Sequence, residues 1–196
     1  MLIDSVLEHL DLEQIETNLF RGMSEELGSS RVFGGQVIGQ ALIAALRTIE
    51  GRPCHSLHGY FLRPGDPSIP IIYEVDRIRD GKSFTTRRVI AIQKGEAIFN
   101  MSASFQVFED GLSHQIEMPD VPRPDDLPTE EEMFEKRKKN MTPEMITMMT
   151  RDRPVEMKRV EDIDYLNPVK SDPEQHIWFK SKKKLGDDPS QHQCLL

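Results

Sequence analysis

The chain has 196 residues, a length that holds one domain or two small ones. Hydrophobic residues make up 37% and charged residues 30%, which is polar for a globular protein but sufficient to build a core. Thirty-three acids against 25 Lys and Arg leave a net charge of -8, which excludes nucleic acid as the main partner because phosphate binding needs a basic face. No apolar run is long enough for a membrane span, and the N-terminus, with Asp4 and Glu8 and no base, has neither a signal nor a transit pattern. Two distant cysteines, Cys54 and Cys194, fit a reducing compartment better than a disulfide framework. The composition therefore predicts a cytoplasmic protein.

Leu2, Ile3, Val6, Leu7 and Leu10 have helical spacing and predict a short amphipathic helix. After Phe33-Gly34-Gly35-Gln36 breaks the chain, Val37, Ile38, Ala41, Leu42, Ala45, Leu46 and Ile49 repeat at three and four. This second helix, over Gln36–Thr48, has almost no charge around its circumference and should be buried. Its small residues Gly39, Ala41, Ala44 and Ala45 would let strands approach closely.

Strand candidates follow at His55–Leu62, Pro70–Arg79, Ser83–Gln93 and Ala97–Val107. The last alternates without interruption: Ala97, Phe99, Met101, Ala103, Phe105 and Val107 form one face, with Phe99, Met101, Phe105 and Val107 expected to face the helix. Asp80-Gly81 and Lys94-Gly95 predict tight hairpin turns, hence an antiparallel meander. One buried helix wrapped by an antiparallel sheet is the simplest way to satisfy both patterns.

Residues 109–154 are acidic and rich in proline, and read as an extended linker with short helices. Thr129 with Glu132 is a capping box, and Thr142-Pro143 is a second helix start. Met141, Met145, Met148 and Met149 beyond it are expected to fill irregular gaps in a core or contact surface. Residues 155–196 restart the strand grammar at Val155–Val160 and His176–Lys184, followed by a helix start at Gly186-Asp187-Asp188-Pro189. The chain stops with Leu195 and Leu196 inside that pattern, which suggests an incomplete second module.

The sequence offers little local chemistry. His55 and His58 are three apart on a strand, an odd spacing that predicts opposite faces and no shared metal. Neighbouring Cys54 and His55 should diverge for the same reason. Gly34-Gly35-Gln36-Val37-Ile38-Gly39 is not a dinucleotide fingerprint, and Gly81-Lys82-Ser83 lacks the upstream glycine of a phosphate loop. No G-x-S-x-G nucleophile elbow is present. The buried helix presents Gln36 and Gln40 where a general base would stand, and Asp187 and Asp188 read as caps.

Longer stretches are more specific. Leu19-Phe20-Arg21-Gly22, Val32-Phe33-Gly34-Gly35-Gln36-Val37-Ile38-Gly39-Gln40-Ala41 and His55-Ser56-Leu57-His58-Gly59-Tyr60-Phe61-Leu62-Arg63-Pro64-Gly65-Asp66 stand out. With Asp80-Gly81-Lys82-Ser83-Phe84, Arg87-Arg88-Val89, Ala103-Ser104-Phe105-Gln106, Asp152-Arg153-Pro154 and His192-Gln193, the chain resembles the acyl-CoA thioesterase II family, the double-hotdog thioesterases. The resemblance implies an α+β hotdog fold. It divides the chain into an N-terminal hotdog (1–108), a linker (109–154) and the start of an incomplete second hotdog (155–196). It implies hydrolysis of fatty acyl-CoA to free acid and CoA by an activated water, with no cofactor and no metal. A non-catalytic hotdog that binds acyl chains, or serves as an assembly partner, is the alternative. The implied partners are acyl-CoA and further copies in a homo-oligomer built through the sheets. The implied setting is cytoplasmic, or peroxisomal for a eukaryotic source. The family's Asp, Thr or Ser, and Gln trio has no counterpart here and would fall beyond Leu196, so weak activity is expected of this chain. Gly34, Gly35, Gln36, His55 and His58 match family motifs as structural or substrate-side candidates, outside that trio.

Overall fold

The computed structural model describes residues 3–24, 30–164, 167–188 and 192–194. Two compact units divide the chain, one of Ser5–Gly111 with Leu185–Leu196 and one of Leu112–Lys184 with Met1–Asp4.

In the first unit, α1 (Ile3–Leu10) and α2 (Gly34–Leu46) accompany six strands. These are β1 (Glu13–Glu16), β2 (Leu19–Gly22), β3 (Cys54–Phe61), β4 (Ile71–Asp80), β5 (Phe84–Gln93) and β6 (Glu96–Gln106). All pairings are antiparallel, in the order β1-β2-β4-β5-β6-β3. Only β4, β5 and β6 form a meander. β3 does not pair with β4 but crosses to the far edge, beside β6. The connection between them carries Pro64, Pro67 and Pro70, which cannot donate to a ladder. It is held instead by the buried Gln93 side chain, which donates to Asp66 O and Ile69 O, both at 2.9 Å, and accepts from Asp66 N at 2.8 Å. Lys94 and Gly95 turn β5 into β6 with φ of 51° and 80°, the left-handed pair that matches strand twist.

The helix is buried as its pattern predicts. Val37, Ala41, Leu42, Ala44 and Ala45 meet Phe20, Tyr73, Val89, Phe99, Met101 and Phe105 in one core. Each side chain of this size removed from water contributes about 1.5–3 kcal/mol. Two positions of β6 depart from strict alternation. Ile98 is buried although its parity puts it on the outer face, because a bulge opposite Ala91/Ile92 inserts it as an extra residue. Val107, expected to face the helix, lies past the end of β6 and is half-buried, with its amide on Ser83 O at 3.1 Å.

Two polar side chains hold this core to its surroundings. Gln40 is fully buried; its amide donates to His9 O at 2.6 Å and Met23 O at 2.8 Å and accepts from Tyr73 OH at 2.7 Å. Arg87, 1% exposed, uses all five of its N–H groups. They reach Thr48 Oγ1 (2.8 Å), Thr48 O (3.2 Å), Arg79 O (3.2 Å), Thr86 O (3.0 Å) and Asp80 Oδ1 (2.6 Å). It thereby ties the end of α2 to β4 and β5.

Helical residues 192–194 also belong to this unit. Gln193 donates to Cys54 O at 2.8 Å, and Cys194 lies against Gly39. Gly39 thus admits this segment and Leu10 rather than a strand. Leu2, Pro189, Leu195 and Leu196 lie outside the described residues.

In the second unit, α3 (Glu130–Arg137) opens on the predicted capping box, with Thr129 Oγ1 accepting from Glu132 N at 3.2 Å. α4 (Pro143–Met149) opens on Thr142. β7 (Val155–Arg159) and β8 (Ile177–Ser181) pair antiparallel. Met145, Met148 and Met149, expected to fill gaps, are exposed.

Candidate functional site at the start of the buried helix

Phe33 stands in extended conformation ahead of α2 and offers no side-chain cap. Its carbonyl accepts from Gln36 N at 3.1 Å and Val37 N at 3.3 Å. Helix geometry leaves the amides of Gly34 and Gly35 without intrahelical acceptors, at the positive end of the helix dipole. No acidic side chain stands in the first turn to neutralise that end.

Beside this turn is a cavity of about 390 Å³. Gly34, Val32, Val37, Phe61, Ile98 and Phe99 supply an apolar lining, and Arg31 and Arg63 add positive charge. Arg63 Nη1 donates to Ala97 O at 2.8 Å, and its Nε stands 3.6 Å from Glu96. Among the described residues the lining contains no Asp, Glu, His, Ser, Thr or Cys. A larger cavity of about 710 Å³ lies toward the other end of α2, beside Leu46 and Arg47. The helix start is the better candidate, because open amide donors meet an apolar wall there, whereas the amide donors of the other end are used within the helix.

The sequence-derived candidates fall into two groups. Gly34 and Gly35 form the turn itself. Gln36 stands beside them, but its side-chain amide is occupied, donating to Met23 O at 2.9 Å. His55 and His58 lie on the outer face of the sheet, away from α2. They were expected on opposite faces; a bulge between Cys54 and Ser56 makes His55 the extra residue of β3 and puts both on one face. His55 Nε2 meets Ser104 Oγ at 2.9 Å with its ring 5.7 Å from Phe84, and the His58 ring lies edge-on to Tyr60 at 4.8 Å. Cys54 packs against the core instead, where burial pushes its thiol pKa up and makes it a poorer nucleophile. Among the described residues no group of three metal-ligating side chains comes together. In the sequence Phe61 and Arg63 stand as ordinary members of the His55–Asp66 stretch. The available signal was the shared parity of Gly59 and Phe61, which places both on the helix-facing side of β3.

Comparison with known proteins adds the identity. The acyl-CoA thioesterase N-terminal domain family matches residues 24–106. Acyl-CoA thioesterase 2 of Haemophilus influenzae is 39% identical over 196 residues, covering 100% of this chain and 68% of that protein. The crystal structure of acyl-CoA thioesterase II TesB2 from Mycobacterium marinum aligns with a TM-score of 0.74 at 42% identity, over 97% of this chain and 65% of that one. A conserved protein of unknown function with a hot dog fold from Alicyclobacillus acidocaldarius shares the architecture with a TM-score of 0.74 at 20% identity. The chain thus spans about two thirds of the length of these relatives. Its sheet and buried helix are those of a hotdog, and with 39% identity sustained from end to end the chain belongs to the acyl-CoA thioesterase II family.

Proposed function

We propose that this protein serves the hydrolysis of fatty acyl-CoA thioesters to free acid and CoA by an activated water. The observation that carries the reading is the Gly34–Gly35 turn, with open amides beside an apolar cavity to which Arg31 and Arg63 add charge. Thioester hydrolysis needs donors for the developing oxyanion and a base for the water. The turn can supply the donors, the cavity suits an acyl tail, and the arginines suit the anionic end of CoA. Among the described residues a base is missing from both the lining and the first turn of α2. We therefore assign the family's Asp, Thr or Ser, and Gln to the part of the relatives' length that this chain does not match.

In this reading residues 1–108 are the N-terminal hotdog, 109–154 the linker and 155–196 the start of the second hotdog. Gly34 and Gly35 are substrate-side, Gln36 positions the strand exit at Met23, and His55 and His58 shape the outer face of β3. The reading includes a cytoplasmic setting in lipid metabolism and assembly as a homo-oligomer, supported by an exposed sheet edge at β3. Among the described residues no helix is long and apolar enough to cross a membrane. The second reading, a non-catalytic acyl-binding module, is favoured by the lack of any acid among the described lining residues.

Calorimetry with octanoyl-CoA and a thiol assay for released CoA separate the two. Chain 1–196 should bind, with turnover ~10²–10⁴-fold below a chimaera extended by the matching C-terminal part of the Haemophilus relative. If the chimaera binds but stays inactive, the non-catalytic reading stands. Robust turnover by 1–196 that is lost in Gln36→Ala or His58→Ala moves the active site into the first module.

A further inference from the structure

One wall of the cavity is made by a residue that the core does not bury. Phe61 ends β3 at the sheet edge and is 56% exposed. Its cross-strand partner Phe99 is 1% exposed, with ring centroids 4.8 Å apart and planes tilted by 39°. The far end of the Phe61 ring closes on the helix: a Cβ built on Gly34 would stand 2.8 Å from Phe61 Cζ. The ring is therefore wedged between the first residue of α2 and the buried Phe99, while half of its surface stays outside the packing. Val32, Val37 and Ile98 complete a hydrocarbon lining beside it.

We propose that Phe61 sets the length of acyl chain that the cavity accepts, acting as its stop. The proposal rests on the reading of this cavity as the acyl site. Removing the phenyl group would open the space between Gly34 and Phe99 to a longer tail. It would leave the Gly34 and Gly35 amides in place, because they are fixed by the helix and not by the ring. A larger ring would shorten the space.

The test titrates chain 1–196 and its Phe61→Ala, Phe61→Leu and Phe61→Trp variants with saturated straight-chain acyl-CoAs of increasing length, by calorimetry. Thermal melting checks that each variant folds. Wild-type affinity should rise about 4-fold per added methylene, which corresponds to about 0.8 kcal/mol per CH₂, and then level off. In Phe61→Ala the levelling should move to chains longer by roughly two carbons, a gain of about 16-fold beyond the wild-type limit. Phe61→Trp should move it to shorter chains. Phe61→Leu should give a smaller gain and carries the test if the alanine variant unfolds. Ile78→Ala, an exposed position on β4 outside the cavity lining, should leave the profile unchanged. Identical levelling in wild type and all Phe61 variants, or an equal shift in Ile78→Ala, overturns the role of Phe61 while the acyl reading stands. Wild-type binding without any chain-length dependence overturns both.

Discussion

Arg87 is a charged residue used as a helix fastener. Thr48 Oγ1 donates to Ala45 O at 2.8 Å and accepts from Arg87 Nε, so the end of α2 is closed through a side-chain relay. Phe61-like exposure is absent at this site, and water cannot replace the lost donors. Arg87→Met should therefore destabilise the protein by about 2–4 kcal/mol, since several buried acceptors lose their partners together. Asp80→Asn should cost less than Arg87→Met, because the amide oxygen still accepts from Nη2 while the buried guanidinium loses only its counter-charge. Urea unfolding of both variants checks the ratio. Asp66 gives a pH expectation. Hydrogen bonds from the Ser68 hydroxyl and amide, then Lys94, hold its carboxyl at about 2, below its ordinary 3.8. A depressed folded-state value stabilises the protein fully above 3.8 and loses that contribution as pH falls toward 2. Asp66→Asn should flatten the acid limb of stability between those values, as read by melts from pH 5 to pH 2.

At the scale of elements, β6 is the clearest case of sequence fixing structure. Phe99, Met101, Ala103 and Phe105 alternate into the core as their spacing requires. Phe105→Ala should cost about 3–5 kcal/mol in urea unfolding, since the ring is fully buried against α2. Gly59→Ala on β3 should also destabilise, by about 1–3 kcal/mol, because its Cβ would meet Phe99 Cζ at 2.6 Å and the Asn100 carbonyl at 2.8 Å. The same strands show where periodicity stops being informative. A bulge depends on the partner strand, so nothing local marked Ile98 as buried or turned His55 onto the face of His58. β1 went unpredicted because all four of its residues, Glu13 to Glu16, are exposed and leave no alternation to read. The crossing of β3 to the far edge is likewise set by the long connection and Gln93, 39 residues beyond the strand's start and outside any local window. In the sequence the cavity was marked only by the Gly34-Gly35 pair at the helix entry, which reads equally well as a plain turn. It was not legible at Phe61, an aromatic that any strand would accept.

For the whole molecule, the edge strand has the largest consequence for behaviour in solution. β3 pairs on one side only in the six-stranded sheet and leaves Leu57, Tyr60 and Phe61 exposed, with Leu62 just after it. Such an edge favours strand pairing with another chain. Sedimentation should show concentration-dependent association, and Leu57→Lys should weaken it without lowering the melting temperature by more than a few degrees. Gln40 acts on a different axis. Its single amide fastens α1 through His9, the exit of β2 through Met23 and β4 through Tyr73. Segments far apart in sequence therefore have no independent way to fray: opening any one of them strands a buried polar group on the others. Amide hydrogen exchange should find the end of α1, the first turns of α2 and the start of β4 exchanging together as one cooperative block, and Gln40→Leu should split that block into separately exchanging pieces.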